Sequence, residues 1–545
     1  MRISIHWLLI LLVPLIAGCS GGDKSSRSLP PKAELPPPLI QLYFTGTTRL
    51  VTDTNAAPWV SMAELPASQA LWRQTLEKLA RAPHQLISRR TAATNDFALR
   101  FQELIADAVR AESFVEVTGD TNQLSEIEFV VRLPPDRAEF WRTNLLTIAG
   151  NWVKGHSQAL PANSVGWELK TDAGLGVFRF SRVGDWTMIG WGREQLPLQD
   201  EFRKRIVQTG RPKLAPGDAW AEIVCDGSNL AAILSSPGRE SAALDGLESL
   251  SAVNLALARR GSDLRLSGNL IFRDPFSWQL EPWQIPTNLI HDPIISFTAV
   301  QGIAPLLRKH QSALGLTLDP LPNQLFVWAG LIFPVQTMAA APLKDPAAFI
   351  RSLAPQLMNR FNSQLYTRDA GSLVLGSNSS GADAILWKDI PPFVTPYLTS
   401  ADDPAGHFLL AGIHPNWPET SPAALVPLFQ YVSSRTNVVY YDWEIAAELA
   451  WSRRNVVNIF RHIFELPCLG PDAASIVCLN SISNRLGNTV TEVSRANSNR
   501  LDIIRQGPVC LTGLELMALA HWLESSSFPL GGIDLTARTN GVVFP

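Results

Sequence analysis

Between Glu126 and Trp152 the spacing of apolar side chains changes from every second residue to every third or fourth, and this switch limits the fold more than any other feature. Ile127, Phe129, Val131 and Leu133 alternate with Glu126, Glu128, Val130 and Arg132, which predicts a strand with one face on the core and the other mostly toward water. Pro134-Pro135 stops it, since proline cannot donate to a ladder. Asp136 suits an N-cap, and Ala138, Trp141, Leu145, Ile148 and Trp152 return at helical spacing. Upstream, Asn95 opens another amphipathic helix carrying Phe97, Phe101, Leu104, Ile105, Ala108 and Val109. Downstream the pattern predicts short strands at 166–169, 177–180 and 186–190, a helix bearing Leu198, Phe202 and Ile206, and a strand at 220–225. Val253, Leu255 and Leu257 then alternate up to the turn Arg260-Gly261-Ser262-Asp263, and Leu264, Leu266, Leu270 and Phe272 come back, which makes a hairpin and favours antiparallel neighbours.

Several of these pieces recur later in the same order. Pro134-Pro135-Asp136-Arg137-Ala138-Glu139-Phe140 is echoed by Leu343-Lys344-Asp345-Pro346-Ala347-Ala348-Phe349, again opening a helix after an apolar strand. Gly184-Asp185-Trp186-Thr187-Met188-Ile189-Gly190 is echoed by Gly406-His407-Phe408-Leu409-Leu410-Ala411-Gly412, and 220–234 by 438–460. Asn540-Gly541 offers a type I′ turn near the C-terminus, matching the turn at Gly261. Each match is weak alone, but their order predicts an α+β protein built by internal duplication: two related halves, each a mainly antiparallel sheet covered by helices. The halves are placed at 40–273 and 294–545. The connector at 274–293 holds four prolines with Trp278 and Trp283, and two indoles in so short a stretch predict packing rather than free flexibility.

At the N-terminus Arg2 precedes an apolar run from Trp7 to Ile16, about ten residues and too short to span a bilayer. The run ends in Leu15-Ile16-Ala17-Gly18-Cys19-Ser20, which resembles the lipobox of bacterial lipoproteins. That resemblance covers only the first twenty or so residues. It implies that 1–18 is a removable signal peptide and that Cys19 becomes the acylated first residue of a chain anchored to a membrane. Residues 19–39 then form a tether, because a Ser/Gly-rich and then Pro-rich composition (Pro30, Pro31, Pro36, Pro37, Pro38) cannot build a core. By the same resemblance, a serine rather than aspartate after the lipid-bearing cysteine points to the outer membrane, with the protein facing the periplasm.

Charge narrows the partners. Forty-six basic and 49 acidic side chains leave a formal net charge of −3, so there is no basic field for nucleic acid. Charged residues make up 17% of the chain, against about 25% in typical globular domains, while there are 17 tryptophans. That aromatic content excludes a disordered chain, and five cysteines are too few for a disulfide-dense one.

Catalytic signatures are sparse. Residues 40–545 hold no Gly-x-Ser-x-Gly elbow, no Ser-x-x-Lys and no phosphate-cradling glycine loop, and the nine histidines form no His-x-x-x-His pair. Asp442 and Glu444, in Tyr440-Tyr441-Asp442-Trp443-Glu444, share a strand face about 7 Å apart, a spacing that suits paired acid and base. Alternation reads them more simply as the wet face of a strand whose Tyr441 and Trp443 point inward. His407 and His414 fall on opposite faces if their strand continues, so no metal is expected there. An exported chain meets oxidising conditions, and Cys468 and Cys478, flanking a Gly-Pro loop, are the natural pair for a disulfide. A zinc site from His462, Cys468, Cys478 and Cys510 matches no common ligand spacing, and Cys225 reads as a small buried hydrophobe.

The reading that follows is a membrane-anchored envelope lipoprotein that binds or scaffolds rather than catalyses, with no cofactor and no metal. Its partners are the membrane, through lipid on Cys19, and either an envelope protein or an apolar ligand. Two other classes stand beside it: an envelope hydrolase with acids between the halves, and a lipid or apolar-ligand carrier whose strands and helices enclose a cavity.

Overall fold

The computed structural model describes residues 38–529, apart from 88–94, 120–123, 153–154, 162–164, 172–175, 194, 214–216, 228–248, 315–316, 332–335, 368–370, 379–380, 390–394, 414–424, 464–468 and 527. These residues form 20 strands and 12 α-helices. Two compact units result, one from the chain up to Asp274 with Gly470–Ile482 and Leu519–Asp534, the other from Pro275–Leu469 and Ser483–Ala518 with the C-terminal segment.

The first unit pairs its strands antiparallel in the order Gly155–Ala159, Val165–Thr171, Val177–Val183, Trp186–Gly192, Leu124–Arg132, Ser113–Gly119, Ile40–Phe44, Ala221–Asp226, Leu250–Arg260 and Asp263–Phe272. The switch of period at Pro134 is realised as strand Leu124–Arg132 and helix Pro135–Trp152. That helix buries Trp141, Leu145 and Ile148 with Phe101, Leu104 and Ile105 of helix Asn95–Arg110, over Val131, Leu133 and Ile189 of the sheet. Asp107 ties the two helices together, accepting from Arg137 Nε at 2.8 Å and from Trp141 Nε1 at 3.0 Å. The other face of the sheet is also covered. Helix Pro197–Thr209 sets Leu198, Phe202 and Ile206 against Val130, Met188, Tyr43, Phe114 and Trp186. It stops at Gly210, whose left-handed φ of 76° turns the chain away while its N–H closes on the Ile206 carbonyl at 2.8 Å.

The second unit pairs Ser372–Ser377, Asp383–Lys388, Tyr397–Asp403, Gly406–Gly412, Thr337–Pro342, Gln324–Gly330, Ile294–Gln301, Val438–Ile445, Asn488–Arg495 and Arg500–Gly507 in that order, all antiparallel. Its main core joins Phe297, Phe326, Trp328, Phe408 and Tyr441 to Phe429 and Val432 of helix Val426–Ser433. Asp345 opens helix Pro346–Thr367 by accepting from the Ala348 N–H at 2.9 Å. Trp283 is buried, and its indole N–H donates to the Arg435 carbonyl at 3.2 Å, the satisfied arrangement expected of an indole in the connector.

The expectation of two related halves, each with a sheet of its own, is corrected by the strand pairing, which joins the 20 strands in one open antiparallel sheet. The reason is physical. Alternation reports which face of a strand is apolar, and a turn reports that two strands are neighbours. The outer edge of a closing hairpin still carries unpaired N–H and C=O groups, so nothing local marks where a sheet stops. Among the described residues no helix is long and apolar enough to cross a membrane.

Candidate functional site

The buried carboxylates are the only chemistry-bearing groups that the sequence placed in pairs and the described fold keeps together, and they sit elsewhere than alternation suggested. Asp442 and Glu444 lie on strand Val438–Ile445, between Ile294–Gln301 and Asn488–Arg495, and both are buried. The wet-face reading is therefore corrected: helix Gly513–Glu524 begins over this face, and the Gly513 N–H donates to Glu444 Oε1 at 2.5 Å. Asp442 accepts from the Thr298 hydroxyl at 2.6 Å, directly across the ladder. Arg505 lies two strands over, donating to Thr491 Oγ1 at 2.9 Å and to both oxygens of Glu515 at 2.9 and 2.8 Å. Thr512 and Glu515 close a capping box, with the Glu515 N–H on Thr512 Oγ1 at 3.2 Å and the Thr512 N–H on Glu515 Oε2 at 2.9 Å.

This arrangement commits the acids to structure. Burial raises Asp442 above the ordinary aspartate range, and burial together with the Asp442 charge pushes Glu444 up to about 8. In an unfolded chain Glu444 returns to its ordinary value of 4.5. Between those values the folded protein holds a proton that the unfolded chain releases. Its contribution to stability is complete below about pH 4.5 and is lost as pH rises through about 8, at a slope of at most about 1.4 kcal/mol per pH unit for one group. Glu444→Gln keeps a carbonyl for the Gly513 N–H and removes that proton. Its urea midpoint is expected to decline less than the wild type's between about pH 5 and about pH 8; parallel declines would contradict the assignment.

A second pair was missed as a site. Glu126 and Glu128, read as the solvent face of their strand, are 2% and 0% exposed beneath helix Pro197–Thr209. Glu126 takes the helix N-terminus, with the Leu198 N–H on Oε2 at 2.8 Å and the Gln199 N–H on Oε1 at 3.0 Å. Gln199 Nε2 donates to Glu128 Oε1 at 3.2 Å. On the same sheet face a polar row runs from strand to strand through Glu168, Arg179, Gly190, Glu128, Glu116 and Gln41. The signal was available: the helix bearing Leu198, Phe202 and Ile206 needed an apolar face to cover, and Val130 and Met188 supply one beside the two acids. A recess next to this row, lined by Gln41, Tyr43, Phe202, Lys213 and Glu222 among others, has a volume of about 10 Å³, room for one water and too small for an acyl chain.

The remaining sequence candidates are dispersed. Cys19, His414, the His462 side chain, Cys468 and the Asn540-Gly541 turn lie outside the described residues. Cys478 is buried in helix Ala474–Leu486, its Sγ 3.6 Å from Ser68 Oγ, and Cys225 is buried in its strand with its thiol pushed up to about 12 by burial. His407 is exposed, Nδ1 2.6 Å from Asp402 Oδ1. Among the described residues no three His, Cys, Asp or Glu side chains gather as metal ligands would. The bridge between Cys468 and Cys478 stands as a prediction: a non-reduced digest of the exported protein is expected to yield the linked peptide pair, and alkylated thiols at both positions would remove it.

No protein-family model matches the chain, and no curated protein matches it. Among solved structures, crystal form III of TP0453 is similar over 54% of this chain and 89% of its own, at 10% identity and a TM-score of 0.25. Crystal form IV of TP0453 is similar over 43% and 77%, at 14% identity and a TM-score of 0.24. A likeness at that level carries no argument about fold or function.

Proposed function

We propose that the protein is an envelope lipoprotein, held on a membrane by lipid at Cys19, whose folded body binds or scaffolds another envelope component rather than catalysing a reaction. The observation that carries this reading is the sequence Leu15-Ile16-Ala17-Gly18-Cys19, followed by the Ser/Gly/Pro-rich stretch that sets the body away from the lipid. Acyl chains contribute about 0.8 kcal/mol per buried CH₂, so two or more hold a protein on a bilayer stably. A tether of about twenty extended residues lets the body reach up to about 60 Å from the surface. An outer-membrane position facing the periplasm follows from Ser20 by the lipoprotein resemblance.

The fate of the acids supports a non-catalytic role. A hydrolytic pair needs access to substrate, whereas Glu444 and Glu126 accept from backbone amides at helix starts and Asp442 is closed by Thr298. Detergent phase partitioning of the full chain from its native envelope tests the anchor: the protein is expected in the detergent phase, and recovery in the aqueous phase would count against it. Cross-linking in intact envelopes is then expected to join the body to a protein of the envelope.

A further inference from the structure

The cluster beneath helix Pro197–Thr209 does more than fill a core, because its charges do not balance. Glu128 is fully buried; Oε1 receives one neutral N–H, from Gln199, and Oε2 has no hydrogen-bond partner among the described residues. The charged groups around it can be named element by element. Its own strand brings Glu126, and the neighbouring strand Ser113–Gly119 places Glu116 directly opposite. Strand Trp186–Gly192 offers only Gly190 at this position, and beyond it lies Arg179. The next strand, Val165–Thr171, brings Glu168 and Lys170, which pair with each other at 3.4 Å. The helix above contributes Asp200, Glu201, Arg203 and Arg205.

Arg179 is the cation that acts on Glu128, and it is already taken. Its guanidinium meets Glu168 at 2.7 Å and Asp200 at 3.4 Å. Arg205 pairs with Glu201 at 3.4 Å, and Lys213 donates to Gln41 at 2.8 Å. Lys170 answers Glu168, and Arg205 and Lys213 act on Glu116, so Glu128, the most buried of the carboxyl groups, is left with one neutral donor and a guanidinium that Glu168 and Asp200 already hold. An ion in that position leaves a charge stripped of water with one oxygen unpaired, whereas the neutral acid leaves only an unpaired neutral polar atom, at a much smaller cost.

We propose that helix Pro197–Thr209 is a proton-controlled latch: Glu126 caps its N-terminus, the neutral acid of Glu128 lets Gln199 seat above it, and loss of the Glu128 proton on alkalinisation unseats the helix. The direction of the titrations agrees. Burial pushes Glu126 up to about 7, and burial with the Glu126 charge raises Glu128 well above the usual range. The seated helix holds a proton that an unseated one releases, so seating is favoured at low pH and lost as pH rises through the buried group's range, by at most about tenfold per pH unit.

Hydrogen exchange on the full chain tests the latch, read as protection of the helix amides after correction for intrinsic rates and compared with helix Asn95–Arg110. From about pH 7 to about pH 9 the wild type is expected to lose about tenfold or more in protection over residues 197–209, with the reference helix changing less. Glu128→Gln, which is neutral at every pH and keeps an oxygen for Gln199, is expected to hold its protection within about threefold over the same range. Equal protection of wild type at both pH values, or the same loss in Glu128→Gln, would overturn the proposal. Infrared spectroscopy provides a second reading, taken as the difference between wild type and Glu128→Gln because Glu444 contributes to both spectra. A protonated-carboxyl band present near neutrality only in the wild type, fading in step with the loss of protection, is expected, and no such difference at neutral pH would overturn the proposal.

Discussion

Cys19→Ser is expected to abolish fatty-acid labelling of the protein and to leave it as an unprocessed precursor, while the wild type incorporates a fatty-acid analogue and loses its first 18 residues. Acylation and cleavage of a lipobox both act at the cysteine, so one oxygen-for-sulfur exchange removes the nucleophile that takes the lipid and blocks the signal peptidase that follows. The effect is all or none in labelling and in electrophoretic size. The sequence of the body, residues 40–545, is unchanged, so the far-ultraviolet circular dichroism of the solubilised variant is expected to match the wild type's. Equal labelling of both chains would mean that lipid, if present, sits elsewhere.

The second large effect is expected in the core between the sheet and its latch helix. Phe202 is 1% exposed and packs with Tyr43, Phe114, Val130, Trp186, Met188, Leu198 and Ile206. Phe202→Ala empties most of a ring from a close-packed region, and changes of this kind cost about 3–5 kcal/mol through lost burial and the cavity left behind. Trp186 is part of the same cluster, with its ring 5.7 Å from that of Phe114, so urea unfolding followed by tryptophan emission reports on the affected region. The midpoint is expected to fall markedly. An unchanged midpoint would mean that helix Pro197–Thr209 contributes little to the stability of the unit.

Local structure was legible where one residue type forces one geometry. Pro134-Pro135 and the apolar spacing after it placed helix Pro135–Trp152, and the turn at Gly261, where φ is +66°, placed the hairpin of Leu250–Arg260 and Asp263–Phe272. The strand and helix expected at 438–460 are Val438–Ile445 and Ala446–Ile463. What escaped was the covering of faces. Glu126, Glu128, Asp442 and Glu444 all alternate with apolar neighbours as solvent-facing residues do, and each is buried because a helix distant in sequence starts over its strand. Strand periodicity carries no information about a helix about seventy residues away. The acids themselves gave a hint that composition hid, since a carboxylate is a good acceptor for the unpaired N–H groups of a helix start. The extent of the sheet was hidden for a related reason: pairing of an outer edge depends on which strand arrives, and that is decided by tertiary packing.

The central claim is that the chain is a lipid-anchored envelope protein, and mass spectrometry of the N-terminal peptide of the mature protein, purified from its native envelope, tests it most directly. The account predicts a peptide that begins at Cys19 and carries the added mass of acyl chains on that residue. A mature N-terminus at another position, or an unmodified Cys19 within a longer peptide, would contradict it.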